Sequence, residues 1–299
     1  MTAMCGTRVW RACCVWCLLM LLWPARVLPA EAEFTHGLLW RIEPTDGAAP
    51  SYLFGTIHSE DPRVLALPAP VLAAFDAARA LVLEVVPDPD VLTESMAAMT
   101  YQDGRTLADA VPDAVYQDSI RALAARGLPE QVARSFKPWA VMTLLSMPEA
   151  KTGDFLDMRL YQRAVAAQQP VRGLESMQEQ LAVFEHLSLP DQVALLRLTL
   201  ASQGEFPALF EALVKAYRQR DLGALLDIND GYLDDADSEL MARFEDTLVA
   251  ARNERMAQRI APMIRDGAQF VAVGALHLPG PGGLLERLSA AGNRVERVY

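Results

Sequence analysis

Near its two ends the chain carries the same local pattern twice, and this pairing restricts the fold more than any other feature. One apolar run, Ser51–Ile57, closes on Gly55-Thr56-Ile57-His58; another, Ala268–Val273, runs into Gly274-Ala275-Leu276-His277. Each Gly-x-x-His then passes through a turn containing proline or glycine and enters a helical segment that leads to a further strand. The first reaches the helix beginning at Pro68, with Val71, Leu72 and Phe75 apolar at helical spacing, and then the run Ala80–Val86. The second reaches Gly283–Ala291 and a last strand, Val295–Tyr299. Strand, helix and strand within about forty residues form a βαβ unit, which implies a parallel pairing. Another strand, Leu38–Ile42, precedes the first unit across the turn-rich Glu43–Pro50.

The middle of the chain is helical. The pattern runs from about Val91 to Ala167 with stops at Gly127-Leu128-Pro129 and Lys137-Pro138, and resumes from Met177 to about Met263 with interruptions near Gly204–Pro207 and Asn229-Asp230-Gly231. A short strand candidate between the two stretches ends at Glu175. The expected fold class is therefore α/β. A central mixed sheet of two pseudo-repeated strand–turn–helix halves would carry a long helical insertion, about residues 91–263, within one domain spanning 33–299.

Residues 1–32 read as a removable leader. Arg8 and Arg11 precede the apolar run Val15–Trp23, and Ala30 and Ala32 give small-residue spacing suited to cleavage after Ala32. The run is short for a membrane anchor, so membrane association is expected only if this segment is retained. All four cysteines lie inside it, which leaves the mature chain without thiol chemistry, Cys-ligated zinc or disulfides and points to a periplasmic or secreted location. Removing Arg8, Arg11, Arg26 and Glu31 reduces the 27 basic and 38 acidic side chains to 24 and 37, a balance of −13. So acidic a chain is repelled by nucleic acid and anionic lipid.

The mature chain has four histidines, His36, His58, His186 and His277. His58 and His277 share one context, just past a strand and a glycine. In open parallel sheets ligands sit at the carboxyl ends of strands, and imidazole is both a metal ligand and an acid–base near neutral pH. A single such histidine would more simply cap its own turn; two in matched contexts point to a shared site. His36 is expected to be solvated, and His186 to lie on a helix surface or in packing. Glu84 interrupts an otherwise apolar strand, where a carboxylate needs a partner or a metal; the alternative is an edge strand with Glu84 facing water. Glu175 ends its strand in the same way, or serves as an acid ahead of the helix starting at Met177. The glycines of Gly280–Gly283 lack the Lys-Ser/Thr of a phosphate loop and read as a turn.

These segments, taken together, resemble the TraB/PrgY/GumN family, which is related to the Tiki metalloproteases. The resemblance rests on Leu-Phe-Gly-Thr-Ile-His (53–58), Leu-Val-Leu-Glu-Val (81–85), Lys-Pro-Trp (137–139), Gly-Leu-Glu-Ser-Met-Gln-Glu-Gln (173–180), Arg-Asn-Glu-Arg-Met-Ala (252–257) and Val-Gly-Ala-Leu-His-Leu-Pro-Gly-Pro-Gly-Gly-Leu (273–284), in the family's order. It implies an α/β fold of erythromycin-esterase/ChaN-like architecture, with paired Gly-x-x-His motifs and a conserved glutamate. By motif match it places His58, His277 and Glu84 as ligands of a divalent metal (Mn, Co or Zn), with Glu175 and Arg252-Asn253 at other recurrent positions. Arg252 would orient a substrate carboxylate or an oxyanion, or else form a helix-surface ion pair. Family members often carry Gly-x-Asp before the central glutamate motif; this chain has Gly-Asp-Phe-Leu-Asp (153–157), making Asp157 the equivalent.

The resemblance implies a metal-dependent hydrolase acting on a peptide or small-molecule substrate. Two alternatives remain open at this point: a metal-free hydrolase with a histidine base positioned by Glu84 or Glu175, and a non-catalytic peptide-binding or regulatory protein.

Overall fold

The computed structural model describes residues 34–299 apart from 88, 150, 234–239 and 241–245. The expected leader and its cysteines lie outside the described residues. Six strands form one sheet in the order β4-β3-β5-β2-β1-β6. They are β1 (Leu39–Glu43), β2 (Ser51–Thr56), β3 (Ala80–Leu83), β4 (Val171–Gly173), β5 (Gln269–Gly274) and β6 (Arg294–Arg297). β4, β3, β5 and β2 are mutually parallel; β1 runs antiparallel to both of its neighbours. The sheet is thus mixed, and β1 is the one strand that reverses it.

The central strands are apolar on both faces because both faces are covered. Phe270, Val271, Ala272 and Val273 of β5 are buried, as are Leu81, Val82 and Leu83 of β3. The covering helices supply residues at helical spacing. In Ala251–Asp266 the buried Met256, Ile260 and Ile264 recur every fourth position, with Asn253 buried a turn earlier. Leu156, Leu160 and Ala164 do the same in Leu156–Ala166.

Three expectations change. β2 and β3 are parallel but not paired: β5, from the far end of the chain, lies between them and bonds to both. The local βαβ pattern fixes direction, whereas the neighbour is chosen by a strand from the far end of the chain. β3 stops at Leu83, so Glu84 stands just past the strand's carboxyl end rather than inside it. Asn229-Asp230-Gly231 does not break its helix, which runs Leu222–Leu233; glycine in a helix interior costs only about 1 kcal/mol relative to alanine.

Residues 91–263 divide between two apolar cores. The sheet core takes in Leu156, Val214, Tyr217, Met256 and Ile260 from this stretch. A second core, built without any strand of the sheet, gathers Leu107, Leu123, Phe136, Trp139, Leu145 and Leu196. No helix among the described residues is long and apolar enough to cross a membrane.

Candidate active site

β2 and β5 lie side by side with Thr56 opposite Gly274, so the two Gly-x-x-His turns leave the same edge of the sheet as neighbours. A Cβ on Gly55 would stand 3.2 Å from the Cα and Cβ of Ala275 and from Leu278 Cδ2. The missing side chain in one turn is therefore what lets the other lie against it. Gly274 is needed for a related reason: a Cβ there would meet Glu84 Oε1 at 3.3 Å and His277 Cδ2 at 3.6 Å. Its bare backbone lets the Glu84 carboxylate accept the Gly274 N–H at 2.6 Å.

His277 is 7% exposed. Its Nδ1 is 2.7 Å from Asn253 Oδ1, and Asn253 Nδ2 donates to the Gly282 carbonyl at 3.2 Å. Because the carbonyl can only accept, it fixes the amide with its oxygen toward His277. The Nδ1 proton is donated to that oxygen, which leaves the lone pair on Nε2. Nε2 faces Glu84 Oε1 at 3.9 Å, too far for a direct hydrogen bond. Burial holds the His277 pKa below the ordinary imidazole value although Glu84 pulls it upward, so the ring is neutral near pH 7.

Glu84 and Glu175 share one guanidinium. Arg252 Nη2 donates to Glu84 Oε2 at 2.6 Å and to Glu175 Oε2 at 2.7 Å, and Arg252 Nε adds a bond to Glu175 at 2.9 Å. Arg255 takes the other Glu175 oxygen at 2.5 and 3.1 Å, and Gln180 Nε2 bridges both carboxylates. Burial would raise both carboxyl pKa values. For Glu84 the opposing pull of His277, Arg252 and the Gly274 N–H wins, and for Glu175 that of Arg252, Arg255 and Gln180; each stays ionised below the usual range.

His58 stands at the rim. It is exposed, its ring stacks on Phe155 with centroids 3.8 Å apart, and partial burial of the ring lowers its pKa against the pull of Glu84 and Glu60. The following residues are anchored by Glu60, whose carboxylate accepts the backbone N–H groups of Lys151, Thr152 and Gly153. Thr56 Oγ1 donates to Asp157 Oδ1 at 2.8 Å, and Tyr217 donates to the Gly55 carbonyl at 2.8 Å. Burial and the nearby Glu84 push Asp157 up to about 6 despite the Thr56 bond.

The structure thus assembles His277, Glu84, Glu175 and Arg252 in one network and places His58 at its edge. Arg252 is held by two carboxylates through its Nε and Nη2, so those donors are not offered to a substrate. His36 is solvated and pairs with Asp221 at 3.4 Å, and His186 caps the end of the helix Met177–Glu185. Asn253, singled out with Arg252 by the family resemblance, completes the site together with Thr56, Gln180 and Arg255, at which only the motif stretches they sit in hinted. For a divalent cation, the donors fit in kind: a neutral imidazole with its other nitrogen fixed, an ionised carboxylate beside it and a second imidazole at the rim. Among the described residues, no three His, Cys, Asp or Glu side chains stand together as a ligand cluster. The assembled part of the expected set is the pair His277 and Glu84.

A polar, charge-compensated network at the carboxyl edge of parallel strands, fed by two histidine turns, defines an α/β protein with an enzyme-like site. The model of the TraB/PrgY/gumN family matches residues 38–297, and the chain belongs to that family. It is 25% identical to metalloprotease TIKI2 of Xenopus tropicalis over 91% of this chain and 61% of that protein. It is 24% identical to metalloprotease TIKI1 of Danio rerio over 88% of this chain and 63% of that protein. A Treponema pallidum (strain Nichols) protein without an assigned function is 24% identical over 85% of this chain and 80% of its own. The chain spans less than two thirds of the length of these Tiki relatives. No solved structure matches it significantly.

Proposed function

We propose that this is an exported, metal-dependent hydrolase of peptide or amide bonds. The observation that carries the reading is His277: Nδ1 is committed to Asn253, and the free Nε2 faces Glu84 Oε1 at 3.9 Å. A divalent cation (Mn, Co or Zn) would be held by His277 and Glu84 with His58 joining from the rim. When bound it would polarise the scissile carbonyl and make water a nucleophile near neutral pH. The protein's own part is positional. Asn253 holds the His277 tautomer, Gly274 N–H and Arg252 hold Glu84 ionised, and Glu175 keeps Arg252 in place. The Tiki relatives are named as metalloproteases, which agrees with this reading, as does the leader-like segment 1–32. The facing turns at Gly55 and Gly274 on adjacent strands support a pseudo-repeat of two strand–turn–helix halves.

A second reading has one observation in its favour: no three-donor cluster stands ready among the described residues. In a metal-free hydrolase of the erythromycin-esterase type, His277 Nε2 would take a proton from water and Glu84 would stabilise the resulting imidazolium.

The test is hydrolysis of a degenerate peptide mixture after chelator dialysis and after return of Mn, Co or Zn. Loss on chelation with recovery under one metal is the expected result. Undiminished hydrolysis in chelator selects the metal-free reading. Product that never exceeds one equivalent of protein overturns both and leaves peptide binding.

A further inference from the structure

We propose that the apolar cleft beside His58 is a specificity subsite that receives a bulky apolar side chain, such as Leu or Phe, of the peptide substrate next to the bond cut. This deepens the hydrolase reading and rests on it. The cleft holds about 410 Å³, enough for such a side chain, and His58 forms part of its wall. The rest of the wall is mainly Ile57, Met147, Phe210, Leu213 and Val214, drawn from three separate segments: the strand-exit turn, the loop after the helix Pro138–Ser146, and the helix Phe206–Gln219. Because Ile57 and His58 are adjacent in the chain, a peptide crossing His58 has the cleft directly beside its backbone.

The lip selects against charge. Asp61 and Glu211 lie there, but Arg63 binds both: its Nε is 2.9 Å from each Asp61 oxygen, and its Nη1 and Nη2 reach Glu211 at 3.1 and 3.0 Å. A lysine or aspartate side chain entering the cleft would lose water without gaining a free counter-charge. An apolar side chain loses nothing and buries its surface, at roughly 25 cal/mol per Å². An apolar wall beside a polar site, with its two acids held by Arg63 and lying in the field of a second cation, Arg218, is the arrangement of a side-chain subsite.

The test has two arms, so that failure of the subsite and failure of the hydrolase reading can be told apart. In the binding arm, methyl-labelled protein is titrated with N-acetyl-leucine amide, N-acetyl-phenylalanine amide and N-acetyl-lysine amide. The first two should shift the methyl signals of Ile57, Leu213 and Val214 saturably, and the lysine amide should not. Leu213→Glu should weaken the leucine amide at least ~10-fold, the scale on which a hydrophobic pocket discriminates. Phe210→Ala should weaken the phenylalanine amide, and it serves where Leu213→Glu fails to fold. Equal shifts from all three amides, no shifts, or titrations unchanged by the variants overturn the subsite. In the cleavage arm, products of a degenerate peptide mixture are sequenced. Enrichment of Leu and Phe at one position flanking the cut, lost in Leu213→Glu, supports the subsite. Cleavage without enrichment overturns it and leaves the hydrolase standing. Saturable shifts without any cleavage overturn the hydrolase reading and retain the cleft as an apolar side-chain site.

Discussion

Replacing Asn253 by alanine removes the acceptor that fixes the His277 ring, and among the described residues no other acceptor takes the Nδ1 proton. Losing such an outer partner of a ligating histidine costs ~10–100-fold in metal affinity or activity, so Asn253→Ala should lose that much in kcat/KM while remaining folded by circular dichroism. Asp157 provides a residue-scale test of opposite character. Its folded carboxyl holds a proton up to about 6, against an ordinary value of 3.8. The native state then binds the proton more tightly than the unfolded chain. The group's contribution is fully present below 3.8 and is lost as pH rises through about 6. Asp157→Asn keeps an acceptor for Thr56 without that titration, so its Tm relative to the parent should climb between about pH 4 and 6 and then level off. A constant difference across that range would contradict the burial assigned to Asp157. At this scale the sequence shows what is local. A glycine followed by a histidine at a strand exit is legible, and so is a glutamate in an apolar run. Asn253 and Thr56 gain their roles from partners 24 and 101 positions away, and no spacing rule reaches that far.

The decisive contact between elements is the one between the two turns. Gly55→Ala inserts a methyl 3.2 Å from Ala275 and Leu278. Overpacking of this kind costs ~1–3 kcal/mol, and here it also pushes β2 and β5 apart at the site. Gly204→Ala, with nothing within 4 Å of the added carbon, is the matched control. Urea unfolding and peptide turnover should both fall for the first and stay unchanged for the second. Strand existence was readable from apolar runs, but strand neighbours were not. β5 inserts between β2 and β3 because it is buried along almost its whole length, so its backbone N–H and C=O groups need strand partners on both edges, which is a property of the finished sheet and of no single segment. Glu84 shows the same limit: Ala80–Val86 is apolar enough to continue as a strand, yet the chain bends at the point where the Gly274 N–H and Arg252 claim the carboxylate.

Among the described residues there are two apolar cores, and the candidate site belongs to the sheet core. Trp139, 1% exposed and stacked on Phe184 at 5.5 Å, sits in the helical core. Trp139→Ala should cost ~3–5 kcal/mol in urea unfolding while leaving the affinity for added metal unchanged under conditions where the protein is folded. A parallel loss of metal affinity would mean that the two cores act as one cooperative unit. The helical middle was visible as a block of 3.6-residue periodicity. Its partition was not visible, because amphipathic helices announce that they bury a face but not which partner covers it.

The central claim is that His277, Glu84 and His58 serve one metal-dependent site. It is tested most directly by metal binding to the parent, His277→Ala, Glu84→Gln and His58→Ala proteins, each titrated with Mn, Co and Zn under identical conditions, with peptide turnover read on the same samples. One ion per parent chain is expected, with affinity lost in His277→Ala and Glu84→Gln and weakened in His58→Ala, and turnover falling in step with affinity. Equal metal affinity and equal turnover in all four proteins would contradict it.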